Sequence, residues 1–252
     1  MANREIATEN ALYLYGVSRA SGDDPGKLTS PGVDGVHAVE AVPCGEFLCW
    51  VSAVDAVAFS RELESNMENL EWLATHGVRH QQVVGEIAEK ETIVPARFGT
   101  LFSSKAALLK DVESRKSALK RVFDRIADSD EWGVKVFAEE QRPAAPSREP
   151  ARSGREYLQQ KAARIKKKPE RGDGDVQEFA EALEKVATGS APAGKVSGGQ
   201  PGLLWQATFL VARSRRSQWD RVLRDFVRQW QGRRRIEVTG PWPPYSFVSD
   251  AK

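Results

Sequence analysis

Apolar residues recur at two different spacings along this chain, and the switches between them mark out its elements. Residues 11–17, Ala-Leu-Tyr-Leu-Tyr-Gly-Val, read as a short buried strand. Glycines and prolines (Gly22, Pro25, Gly26, Pro31, Gly32) then mark residues 18–33 as a loop. Two strands are predicted at 36–42 and 47–54, around a turn at 43–46. Leu63, Met67, Leu70 and Ala74 lie on one face of a helix, and Gly77 is expected to end it. Val83, Val84 and Ile87 mark a second, short helix, leaving His76 and His80 as surface residues near a helix end. Residues 92–94 are extended up to Pro95, and the chain then turns. Ser103 or Ser104 caps the following helix, whose apolar face is Leu108, Val112, Leu119, Val122, Phe123 and Ile126.

The second half opens with a strand at 131–138. A proline-rich loop at 141–154 and helices at 156–168 and 176–186 follow. Residues 187–202 are rich in Gly, Ala, Ser and Pro and are expected to be flexible. Residues 203–212 form the clearest strand, with Trp205, Ala207, Phe209 and Val211 on one face. Trp219, Val222, Leu223, Phe226, Val227 and Trp230 follow the helical template, and 235–239 is the closing strand. The expected class is α+β: an N-terminal α+β domain (1–128), then a ferredoxin-like, modified βαββαβ domain (129–252) with extra helices and a weak second strand. The chain closes on Thr239-Gly240-Pro241-Trp242-Pro243-Pro244-Tyr245. Prolines stiffen this tail, so its aromatic residues are expected to be packed, with Trp242→Ala costing several kcal/mol, on the order of a large-to-small core change.

Composition narrows the classes. Of 252 residues, 40% are hydrophobic and 29% charged, and the formal net charge is +2, so global charge does not point to nucleic acid. No apolar run approaches the roughly 20 residues needed to cross a bilayer. Residues 1–10 are polar without a secretory pattern, so the cytoplasm is expected. Cys44 and Cys49 flank a hairpin turn out of disulfide register and are read as reduced. No phosphate-binding loop, nucleophile elbow or metal-ligand cluster is present, so neither enzymatic activity nor a cofactor is expected.

Three groups of residues remain as candidate contacts. Arg97, Phe98 and Thr100 lie in the turn after Pro95, read either as loop-fixing or as a partner surface. Arg221, Arg224 and Arg228 form a stripe on the arginine-rich helix of 215–235. That stripe is a solvated face, a docking site for an acidic partner, or a nucleic-acid site, the last making the chain a ferredoxin-like nucleic-acid-binding protein. Trp242 and Tyr245 are the candidates in the tail.

Six stretches together resemble the GvpL/GvpF family of gas vesicle proteins. They are Tyr13-Leu14-Tyr15-Gly16-Val17, Pro95-Ala96-Arg97-Phe98-Gly99-Thr100-Leu101-Phe102, Glu131-Trp132-Gly133-Val134-Lys135, Ser153-Gly154-Arg155-Glu156-Tyr157-Leu158, Thr208-Phe209-Leu210-Val211 and the closing motif. The resemblance implies an accessory or minor structural protein of gas vesicle formation, the vesicles being hollow, gas-filled protein shells that give buoyancy. It implies contacts with the small hydrophobic shell protein GvpA and with other accessory Gvp proteins, and a location at the gas vesicle or in the cytoplasm. Residues 187–202 depart from the family pattern, which has a strand there.

Overall fold

Strand β1 (Asn10–Arg19) is the axis of the first sheet. It pairs antiparallel with β3 (Phe47–Asp55) along its whole length, and β3 pairs with β2 (Glu40–Cys44) across the Gly45-Glu46 turn. On the other edge of β1, β4 (Ile93–Pro95) pairs with Gly16–Ser18, and β5 (Leu101–Phe102) pairs with Leu12 and Tyr13. The sheet order is therefore β2-β3-β1-β4, with β5 on the same edge. The computed structural model describes residues 10–20, 25–56, 59, 69–139, 173–192 and 200–249.

Both faces of this sheet are covered. Helix α1 (Leu70–Lys90) places Val83, Val84 and Ile87 against Tyr13, Tyr15, Trp50 and Ile93. Asn69 caps it by accepting from the amides of Glu71 and Trp72. The opposite face meets α2 (Lys105–Ser114), capped by Ser104, and α3 (Lys116–Ile126). There Phe47 stacks on Phe123 at 5.6 Å, and Leu108, Val112, Leu119 and Ile126 are buried. Arg115, at φ −101° and ψ 7°, separates the two helices where one had been expected.

The second unit is built on β6 (Ser129–Ala138), α4 (Asp173–Glu184), β7 (Gly189–Pro192), β8 (Leu203–Ala212), α5 (Arg216–Gln229) and β9 (Arg234–Trp242). The sheet order is β7-β8-β6-β9, which is the ferredoxin-like arrangement. Its core joins Trp132, Val134 and Val136 of β6 to Phe209 and Val211 of β8, under Phe179 of α4 and Trp219 and Phe226 of α5. The first sheet has the same order, second-third-first-fourth. The segment between β1 and β2 contains no helix among its described residues. It is pinned instead by the Tyr15 hydroxyl, which accepts from the Val33 amide at 2.6 Å, and by Glu86, which accepts from the amides of Thr29 and Ser30. Those two amides hold the Glu86 carboxyl at about 2 against the desolvation that pushes it up.

Several expectations are corrected. Gly77 does not end a helix, because α1 runs through it to Lys90. Residues 36–39 are not strand, and β2 starts at Glu40. Residues 187–202 are not simply a flexible segment: Thr188 and β7 pair with β8, in a register from Gly189 opposite Leu210 to Pro192 opposite Ala207. The chain divides into Met1–Glu131 with Pro241–Lys252, and Trp132–Gly240, so the tail expected in the second domain belongs with the first. The helix expected at 156–168 and the loop at 141–154 lie outside the described residues.

Two glycines make opposite tests of this packing. A Cβ on Gly16 would stand 2.6 Å from the Ile93 side chain and 2.8 Å from the Val94 carbonyl, whereas a Cβ on Gly85, within α1, meets nothing within 4 Å. Gly16→Ala should destabilise by about 1–3 kcal/mol through overpacking against β4. Gly85→Ala should stabilise by about 0.5–1 kcal/mol by removing a helix-interior glycine. Urea midpoints of the two variants check both signs.

Candidate functional site

The turn expected around Arg97 interrupts the edge pairing of β1. Its two ends are tied to that strand, the Ala96 amide donating to the Tyr15 carbonyl at 2.8 Å and the Leu14 amide to the Thr100 carbonyl at 2.9 Å. β1 shifts register between Leu14 and Gly16, opposite this excursion. Gly99 sits at φ +82°, a conformation that favours glycine, and its amide donates to the Tyr13 hydroxyl at 3.1 Å. The Thr100 hydroxyl donates to the Arg97 carbonyl at 2.7 Å. Phe98 is partly buried, edge-on to His80 at 5.8 Å and Trp72 at 6.2 Å. Arg97 is exposed.

His80 lies beneath this turn, 1% exposed, on α1. Its Nδ1 is 2.9 Å from the Tyr13 hydroxyl and its Nε2 is 3.0 Å from the Tyr245 hydroxyl, while its ring stacks on Tyr15 at 5.7 Å. A neutral imidazole serves both hydroxyls, accepting at one nitrogen and donating at the other. A charged ring would donate at both and strand a hydroxyl proton. Burial pushes His80 down to about 4 and pushes both tyrosines well above their ordinary values. His80 is thus not the surface residue expected from its position beside Gly77. Its two partners are 67 and 165 residues away, beyond the reach of local spacing.

Tyr245 brings the tail into this cluster. Glu131 adds a second anchor, accepting from both the amide and the hydroxyl of Ser246 at 2.8 Å, and Arg125 donates to the Phe247 carbonyl. Burial pushes the Glu131 carboxyl up, and the two Ser246 bonds oppose that. Pro243, Pro244, Phe247 and Val248 are buried. Trp242 is 50% exposed, so the packing expected of it is carried by its neighbours instead.

In the second unit, Arg221, Arg224 and Arg228 are exposed on α5, opposite buried Trp219, Leu223 and Phe226. Arg216 is used differently, bonded to Asp220 at 2.8 Å and lying 3.7 Å from the centre of the Trp132 ring. Trp205 and Phe209 face the helices as core, so the sheet does not present these rings for stacking on bases. The structure therefore holds Tyr245 and Phe98 against one buried histidine, uses Thr100 to close the turn on Arg97, leaves Arg97 and Trp242 exposed, and places the arginine stripe in the other unit.

The family model described as gas vesicle synthesis protein GvpL/GvpF matches residues 11–249. The chain belongs to the GvpL/GvpF family. Gas vesicle protein L of Streptomyces sp. (strain CB03234) is 30% identical over a 280-residue alignment covering 98% of this chain and 96% of that protein. Gas vesicle protein F1 of Halobacterium salinarum is 25% identical over 249 residues, covering 96% and 93%. The crystal structure of GvpF from Anabaena sp. PCC7120 shares the fold, with a TM-score of 0.67, 19% identity and coverage of 95% and 96%. That of GvpF from Microcystis aeruginosa has a TM-score of 0.64, 19% identity and coverage of 95% and 99%. Membership of this family supports a role in gas vesicle formation. No helix among the described residues is long and apolar enough to cross a membrane.

Two predictions follow from the geometry of this GvpL/GvpF chain. Above pH 6.5 neither folded nor unfolded His80 carries a proton. Between 6.5 and about 4 only the unfolded chain takes one up, so His80 makes stability fall by about 3 kcal/mol as pH drops through that window, and by no more below it. Urea titrations at pH 7.5, 5.5 and 4.2 should show a shallower fall for His80→Gln than for the wild type. In the tail, Phe247→Ala should cost about 3–5 kcal/mol, and Trp242→Ala no more than about 1 kcal/mol. Melting curves of the two variants separate the anchor from the exposed ring.

Proposed function

We propose that this protein is a non-catalytic accessory factor of gas vesicle assembly that binds the shell protein GvpA and other accessory Gvp proteins while the shell grows. The observation that carries this reading is the family match across residues 11–249. The names of the relatives, gas vesicle protein L and gas vesicle protein F1, agree with it. Two surfaces support action by binding. Trp242 projects from a tail whose other apolar residues are fixed, so a large ring is held ready at little entropic cost. Arg221, Arg224 and Arg228 offer a charged row, and Arg97 an exposed cation on a braced turn. Apolar docking of a sticky subunit with charged surroundings for solubility requires no bond-breaking group. Trp242 and Arg97 are the residues we assign to partner contact in the first unit. Phe98, Thr100 and Tyr245 support them from within.

Deleting the gene in a host that makes gas vesicles should abolish or sharply reduce floating cells, and normal vesicle numbers would overturn the reading. In the complemented strain, Trp242→Ala should keep the protein folded while lowering the GvpA that co-purifies with it. Unchanged GvpA recovery would remove Trp242 from the contact surface.

A further inference from the structure

A cavity of about 440 Å³ opens at the start of α1, within the range of small-ligand pockets. Four rings line it: Phe59, Trp72, His76 and His37. Trp72 and His76 stack at 4.1 Å with an interplanar angle of 24°, and Phe59 stands 5.7 Å from the first and 6.0 Å from the second. The His76 Nδ1 donates to the Trp72 carbonyl at 2.9 Å, which fixes that ring pair to the helix. Val54 and the exposed Val36 provide the aliphatic walls.

Two carboxylates lie on the lining, one of them facing the His37 imidazole. Asp34 and Asp55 both border the cavity. Asp34 is held rigidly, accepting from the amides of Val36 and His37 and, at 2.5 Å, facing His37 Nδ1. Those bonds keep its carboxyl below the ordinary value against desolvation, so it is ionised at neutral pH. Arg79 does not line the cavity: its guanidinium lies against Gly35 and reaches the Val33 carbonyl at 3.4 Å. Flat aromatic faces beside carboxylates suit a planar cation, which stacks through its π face and bonds through its edge. A compact ammonium uses the carboxylates but not the stacking surface, and an anion is repelled.

We propose that this cavity receives an arginine side chain presented by a partner protein, its guanidinium stacked on the Trp72 and His76 ring pair and facing Asp34 and Asp55. The site is distinct from Trp242 and from the arginine row, and it stands or falls without them. Trp72 also touches Phe98, so an occupied cavity lies one ring away from the Arg97 turn.

The test is a titration of the ¹⁵N-labelled full chain with Nα-acetyl-arginine amide, followed at the Trp72 indole N–H, which a Trp72→Phe variant assigns. A saturable shift at millimolar concentration is expected, with binding at least tenfold weaker for Nα-acetyl-norleucine amide. Asp55→Asn, followed at the Trp72 indole, and Trp72→Leu, followed at the Val36 amide, should each weaken arginine binding severalfold while the amide spectrum remains that of the folded chain. The proposal is overturned by the absence of a saturable shift, by equal binding of the norleucine compound (an apolar slot only), or by tighter binding of Nα-acetyl-lysine amide. Arginine binding indifferent to both variants would place the site elsewhere and overturn it equally.

Discussion

The first unit is organised by a buried imidazole that two tyrosine hydroxyls must share. Tyr13 stands on the central strand, His80 on the covering helix, and Tyr245 on a tail that reaches this unit only after the chain has completed the second one. A buried polar group without a partner costs about 1–3 kcal/mol, so each of the three holds the others in place. The Tyr13 hydroxyl also accepts from Gly99, which couples the turn at 96–100 to the same centre. Strand, helix, turn and tail thus meet at one ring. Four of the stretches that mark the family supply the structure around it. The first gives Tyr13 and Tyr15, the second Phe98 and Gly99, the third Glu131, which anchors Ser246, and the closing motif Tyr245. His80 itself belongs to none of them.

The two sheets share one strand order but solve the first crossover differently. In the second unit α4 precedes β7 and buries Phe179 and Leu183 in the core. In the first unit the described part of the corresponding segment carries no helix; Val33 is buried in the core, with Leu28 and Val39 packed against it, and hydrogen bonds to Tyr15 and Glu86 fix the segment. One end of that segment, at Asp34, Val36 and His37, borders the cavity beside Trp72 and His76.

Elements whose own residues carry a strong period were legible in the sequence. β8 occupies residues 203–212 as its alternation requires, α5 buries the Trp219, Leu223 and Phe226 face, and Ser104 caps α2. Elements defined by partners were not. β7 is four residues of Gly, Ser, Ala and Pro, with no strand propensity of its own, and exists because β8 offers it a ladder. Gly77 costs a helix about 1 kcal/mol, and the packing of Val83, Val84 and Ile87 outweighs that. In the tail, prolines and aromatics announce a packed segment but neither which ring faces out nor which unit receives it. Pro243 and Phe247 turn inward, and Trp242 does not.

That division between interior and surface is consistent with the binding role proposed above. Polar side chains buried in the first unit are engaged in holding its parts together: Ser18 with Trp50, Ser52 with Tyr15, Glu131 with Ser246, and His80 with two tyrosines. Trp242 and Arg97 of the same unit are exposed. A rigid interior of this kind fixes the exposed groups in space, so that recognition of a partner loses little to ordering them. The same bonds that satisfy the core therefore set the geometry of the surface, and a change at His80 would be read out at the tail and the turn together.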